Sequence, residues 1–150
     1  MGVACETVKY GLTKEKSFTT DFPACDSSEK AAQFARRFYG EDIEIYESFF
    51  IILLASSGKV LGWAKIGQGG TSGVLVDAKL VAKFAIDALA RSVICVHNHP
   101  GGNPKPSPQD MQLTRKIREG LRLFEIELLD HIILTFDSCH SMRDEYEMDF

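Results

Sequence analysis

The feature that most constrains this chain is the run Ser48-Phe-Phe-Ile-Ile-Leu-Leu-Ala55, in which six large apolar residues follow one another without a charge. A continuous apolar run of that length reads as a buried strand. Ser56-Ser-Gly-Lys59 supplies a turn, and Val60-Leu-Gly-Trp-Ala-Lys-Ile66 follows, so the two segments are expected to form a hairpin.

Strand and helix patterns alternate after the hairpin. Beyond the glycine-rich Gly67 to Gly73, Asp77 is suited to cap a helix that carries Leu80, Val81, Phe84, Ala85, Ala88 and Leu89 on one face. Ser92-Val-Ile-Cys-Val-His97 then returns as a short apolar strand. Ser107-Pro108 opens a further helix, with Leu113, Ile117, Leu121 and Phe124 along one side, ahead of a strand over Ile126 to Thr135. Upstream, Asp26-Ser-Ser-Glu29 has the form of a capping box for a helix burying Ala31, Phe34, Ala35 and Phe38 and stopped by Gly40. Val3 to Tyr10 is assigned as an edge strand. Strand, helix, strand order implies a crossover with some parallel pairing. The expected fold is therefore α/β, with helices against a mixed β-sheet.

With 150 residues, of which 45% are hydrophobic, residues 1–150 are expected to form a single domain whose core needs neither disulfides nor metal. A formal net charge of -4 argues against direct nucleic-acid binding, which normally requires a basic face. Cys5, Cys25, Cys95 and Cys139 are scattered without a CxxC pair, as expected of free thiols in a reducing compartment. The chain has no run long and apolar enough for a membrane span and no apolar secretion-signal core near its start, so the expected location is the cytoplasm.

The chemistry concentrates in Val96-His-Asn-His-Pro-Gly-Gly-Asn-Pro-Lys-Pro-Ser-Pro-Gln-Asp110. Alternation along a strand sends His97 and His99 to one side and Asn98 to the other. Two imidazoles suit zinc, which in catalytic sites takes three protein ligands and leaves the fourth position to water. Asp110 is the candidate third ligand: with Ser107 as N-cap and Pro108 as first helical residue, it lies in the first turn, where the helix dipole favours a carboxylate. In Pro100 to Pro106 the glycines permit a tight return while three prolines restrict the loop.

A bound water also needs a base. Glu47, at the mouth of the apolar strand, is the candidate, with Glu44 as the alternative. The Ser107 hydroxyl is suited to cap its helix and to offer its proton to an oxyanion. Taken singly these residues have plainer readings: Asp110 as a helix-dipole carboxylate, Ser107 as a cap. Asp130-His131 reads equally as an outer partner of a metal-bound histidine and as a hydrogen-bonded pair packing the sheet. Cys139 and His140 read as surface residues after a turn. Gly69-Gly70-Thr71 lacks the Lys-Ser/Thr of a phosphate loop and is read as shaping a substrate groove.

Glu47, His97-x-His99 and Ser107-x-x-Asp110 together resemble the JAMM (MPN, JAB) zinc metalloprotease motif. The longer string HNHPGG, PSPQD and QLTRKI, followed by LLDHIIL, is similar to the RadC-like branch, over about residues 45–141. The resemblance implies a three-layer α/β fold akin to cytidine deaminase, although the His-x-Glu and Pro-Cys-x-x-Cys signatures of the deaminases are absent. It also implies one zinc per chain on His97, His99 and Asp110, with Glu47 as general acid/base and Ser107 aiding the tetrahedral intermediate. The expected function is hydrolysis of a peptide or isopeptide bond in a peptide or protein substrate. A non-catalytic, metal-bearing binding module associated with DNA repair is the alternative. Two departures from the RadC-like pattern stand out: Gly101 where many members have Ser, and no expected room for their N-terminal helix-hairpin-helix region.

Overall fold

A computed structural model gives the fold and describes residues 22–70 and 73–145. The expected strand over Val3 to Tyr10, together with Cys5 and Thr71, lies outside the described residues. The strands are β1 (Ser48–Leu54), β2 (Val60–Gln68), β3 (Ser92–Asn98), β4 (Glu127–Leu134) and β5 (Cys139–Ser141), and the α-helices are α1 (Ser28–Ala35), α2 (Ala78–Asp87) and α3 (Pro108–Arg122). They form one mixed sheet in the order β2-β1-β3-β4-β5. β1 pairs antiparallel with both β2 and β3, whereas β3 and β4 are parallel neighbours joined through α3. No helix among the described residues is long and apolar enough to cross a membrane.

The apolar run is fully buried in β1 because the sheet is covered on both faces. Phe49, Ile51 and Leu53 pack on the side of α2 and α3 with Val81, Ala85, Ile117 and Leu121, while Ile52 and Leu54 pack on the other side with Ala31, Phe34 and Ala35 of α1. The same alternation in β3 sends Val93 and Cys95 to the first core and Ile94 and Val96 to the second. These are the three layers expected, and they aim His97 towards α3.

Local corrections have local causes. The N-cap of α1 is Ser27, whose side chain accepts from the Lys30 N–H; Asp26 forms an ion pair with the Lys30 ammonium at 2.7 Å instead of capping. That helix ends at Ala35 and continues as a 3-10 turn over Arg36–Phe38, short of Gly40. α2 buries the narrow stripe Val81 and Ala85, with Leu80 on its exposed shoulder. Leu89 follows the C-cap with φ of 50° and turns outward, 86% exposed. Phe124 lies past the end of α3, where the chain bends through Glu125 at φ 58°, and is exposed as well. Cys139 and His140 belong to β5, which pairs antiparallel with β4; Cys139 is exposed, as expected.

One irregularity matters for the site. The β3–β4 register pairs Val93 with Leu128 and Ile94 with Asp130, so Leu129 is an extra residue in β4. A bulge of this kind reverses which face the following residues present. Leu128 packs in the α2/α3 core, and beyond the bulge it is His131 that returns to that face, against His97.

Candidate metal centre

His97 lies at the carboxyl end of β3, His99 is the residue that follows the strand, and Asp110 lies in the first turn of α3. The two Nε2 atoms are 2.9 Å apart, His97 Nε2 is 3.2 Å from Asp110 Oδ1, and His99 Nε2 is 3.4 Å from Asp110 Oδ2. Donors bound tetrahedrally at ~2.0–2.1 Å to one zinc ion would stand roughly 3.3 Å from one another, close to the separations between the two imidazole nitrogens and between each nitrogen and its nearer carboxylate oxygen. Among the described residues, these three side chains form a group that could hold a metal ion, with all donor atoms within 4.8 Å of one another.

The outward nitrogens support the same reading. His99 Nδ1 lies 2.7 Å from the Asn103 carbonyl, which can only accept, so Nδ1 carries a proton and, in the neutral ring, the Nε2 lone pair faces the cluster. Gly102 makes that contact possible: its φ of 79° closes a turn in which its N–H donates to the His99 carbonyl. His97 Nδ1 is 2.8 Å from His131 Nε2, and both rings are buried against Phe49.

Asp110 is fixed by the start of its own helix. Its Oδ2 accepts from the Ser107 N–H and from the Ser107 hydroxyl, both at 2.6 Å, while Ser107 Oγ accepts from the Asp110 N–H at 3.1 Å. The expected cap is thus present as a reciprocal capping box with Pro at the helix start. The Ser107 proton is given to Asp110 in this arrangement. Burial acts to raise the Asp110 pKa, but the adjacent His97 and His99 imidazoles outweigh it and hold the carboxyl well below the usual range. The bond to Asp110 raises the pKa of His99, against the opposing effect of burial.

Glu47 stands immediately before β1. Its N–H donates to the Gly70 carbonyl and its carbonyl accepts from the Gly69 N–H, at 3.1 and 2.8 Å. Its carboxylate accepts from the Val74 N–H and lies close enough to feel His97, His99 and Asp110. Burial is the main reason that its pKa is raised, and the charge on Asp110 adds to the effect. Glu44, the alternative, is exposed in a 3-10 turn. Beside Glu47 the backbone approaches itself closely: a Cβ on Gly69 would lie 1.7 Å from the Gly73 carbonyl oxygen.

Three contributors are not evident from spacing alone. Asn98 points away from the imidazoles, as alternation demands, and enters the segment that carries Glu47. Its amide donates to the carbonyls of Ile43 and Tyr46 at 2.6 and 2.8 Å, and its Oδ1 accepts from the Ser48 N–H at 2.8 Å. Thr114, one turn along α3 from Asp110, bonds to His131. Of the Asp130-His131 pair, only His131 meets a candidate ligand. Asp130 accepts from the His131 and Arg143 N–H groups and the Ser141 hydroxyl, and it lines a separate cavity with Ser28, Ile94 and Leu129.

An α/β domain with two imidazoles at a strand end and a carboxylate at the next helix start could serve as a metal-site scaffold. Residues 25–148 match the model of the RadC-like JAB domain, and the chain belongs to that family. A UPF0758 protein of Flavobacterium johnsoniae is 37% identical over 100 residues, covering 67% of this chain and 44% of the relative. One from Shouchella clausii is 35% identical over 119 residues, covering 78% of this chain and 50% of the relative. The chain thus spans about half the length of these relatives or less.

Proposed function

We propose that this domain is a zinc-dependent hydrolase of the metallopeptidase type, which cleaves a peptide or isopeptide bond. The supporting observation is the pairing of a three-donor cluster, His97, His99 and Asp110, with the proton-accepting carboxylate of Glu47 beside it. Three donors leave one tetrahedral position for water, as in catalytic rather than structural zinc sites. Zinc held there would supply a Lewis acid and an acidified water.

The chain's own groups account for the proton transfers. Glu47 takes a proton on its carboxylate and gives it to the leaving amine nitrogen, a role that its raised pKa suits. The Val74 N–H and the clasp of Gly69 and Gly70 hold that carboxylate in place. Ser107 turns its hydroxyl from Asp110 towards the developing oxyanion and keeps its N–H bond to Asp110 Oδ2. The substrate is a peptide or protein. Direct nucleic-acid binding is not part of this reading, and the setting proposed is cytoplasmic.

The test is metal analysis of the purified chain, followed by a mass-spectrometric screen against short peptides and ubiquitin-like conjugates with wild type and Glu47→Gln in parallel. One zinc per chain in both proteins and cleavage by wild type alone is the expected result. Absence of stoichiometric metal, or equal cleavage by the variant, overturns the proposal.

A further inference from the structure

We propose that Thr114 and His131 are positioning residues that lock His97 in the tautomer whose Nε2 lone pair faces the metal site. The inference rests on the reading of His97, His99 and Asp110 as a metal site and adds two residues that do not touch the ion.

The direction of the hydrogen-bond chain follows from its far end. Thr114 Oγ1 lies 2.6 Å from the Asp110 carbonyl oxygen and 2.6 Å from His131 Nδ1. A carbonyl oxygen only accepts, so two oxygens at that separation need the hydroxyl proton between them. Thr114 therefore donates to Asp110 and has only lone pairs to offer His131. His131 must carry its proton on Nδ1, which leaves Nε2 as an acceptor. His97 Nδ1, 2.8 Å away, supplies the matching N–H. A neutral imidazole protonated on Nδ1 is bare on Nε2, and that atom lies 3.2 Å from Asp110 Oδ1 and 2.9 Å from His99 Nε2.

The reverse chain would place a proton on His97 Nε2, where it would exclude a metal, and would set a Thr114 lone pair against the Asp110 carbonyl. Thr114 and His131 are completely buried, so water cannot satisfy the reversed arrangement. The β4 bulge at Leu129 lets His131 take part, since it returns that side chain to the His97 face. The device also joins two ligands: one hydroxyl ties the backbone of Asp110 to the ring orientation of His97.

The experiment measures zinc affinity by competition with a chromophoric chelator for wild type, Thr114→Ser and Thr114→Val, and reads the His97 tautomer of each metal-free protein from long-range nitrogen–proton NMR correlations. Loss of a direct outer partner of a ligating histidine weakens metal binding by about 10- to 100-fold; Thr114 acts one bond further out, through His131, so a loss of about 10-fold is expected for Thr114→Val, with Thr114→Ser close to wild type. Wild type should show His97 protonated on Nδ1, and Thr114→Val should shift the population towards Nε2. A role in packing alone would lower thermal stability and leave both readouts unchanged, and that result overturns the proposal. So does an Nε2-protonated His97 in wild type, a measurement that needs no variant to fold. If wild type takes up no zinc, the metal-site reading fails, and this inference fails with it. If wild type binds zinc and folded Thr114→Val binds it equally well, only the inference fails.

Discussion

Asn98 grips the backbone on both sides of Glu47, donating to the carbonyl of Tyr46 and accepting from the N–H of Ser48, each at 2.8 Å. The histidines on either side of Asn98 face the opposite way, so one strand end fixes both candidate metal ligands and the backbone that carries the candidate base.

Asn98→Ala should separate these two roles. Two carbonyls and one N–H lose their partner in a buried position, and at ~1–3 kcal/mol for a buried group left unpaired, a total loss of about 3 kcal/mol in stability is expected. Zinc content should stay near that of wild type while turnover falls. Chemical denaturation and metal analysis of the same preparation check this; a variant that folds normally but loses its metal would contradict it.

Glu47→Gln is expected to stabilise the metal-free protein while abolishing turnover. The fold raises the Glu47 pKa, chiefly through burial, so the contribution of this group to stability is full below its unfolded value and declines as pH rises through its folded value. At neutral pH the ionised carboxylate therefore works against folding, and glutamine removes that charge. Thermal melts with chelator at pH 4 and pH 7 should show the benefit of the variant at pH 7 and little at pH 4.

Zinc uptake should release protons and weaken as pH falls. His99 holds its proton more tightly than an ordinary histidine because of its bond to Asp110, and zinc must displace it. The sign is that of a raised pKa: competition begins above the usual histidine value of about 6.5 and grows as pH drops. Titration calorimetry in two buffers of different ionisation enthalpy measures the release. A heat independent of buffer at pH 6.5 would count against the proton on His99.

Gly69→Ala should move Glu47 without touching a ligand. Its Cβ would lie 1.7 Å from a backbone oxygen of Gly73, so the loop must shift, at a cost of about 1–3 kcal/mol. Turnover should fall by more than zinc affinity does. Equal losses in both would mean that the loop supports the metal cluster rather than the base.

What could be read from the sequence was short in range. β1 is apolar from end to end, and the Ser107-Pro108 start of α3 announces itself by capping chemistry, so the relation of Asp110 to the two histidines is legible from spacing and alternation. The part of His131 is legible only as one of two readings of the Asp130-His131 pair, because strict alternation along Ile126 to Thr135 fails at Leu129, and a bulge appears only when the neighbouring strand is in place. Asn98 is hidden for a different reason: its orientation is read correctly, but its partners Ile43, Tyr46 and Ser48 are about 50 residues away, at 50 to 55 positions. The outward turns of Leu89 and Phe124 depend on left-handed residues at helix ends that no glycine marks.

His97 and Asp110 are thirteen positions apart on one strand, loop and helix, while Glu47 reaches them through long-range contacts, the pairing of Phe49 with His97 and the bonds of Asn98 to Tyr46 and Ser48. Metal capture as proposed would therefore be a low-contact-order event and placement of the base a high-contact-order one. A partly unzipped molecule that has lost the β1 docking but kept β3, α3 and β4 would still sequester an ion while having no proton acceptor for it, so hydrolytic competence would report on completion of the tertiary fold.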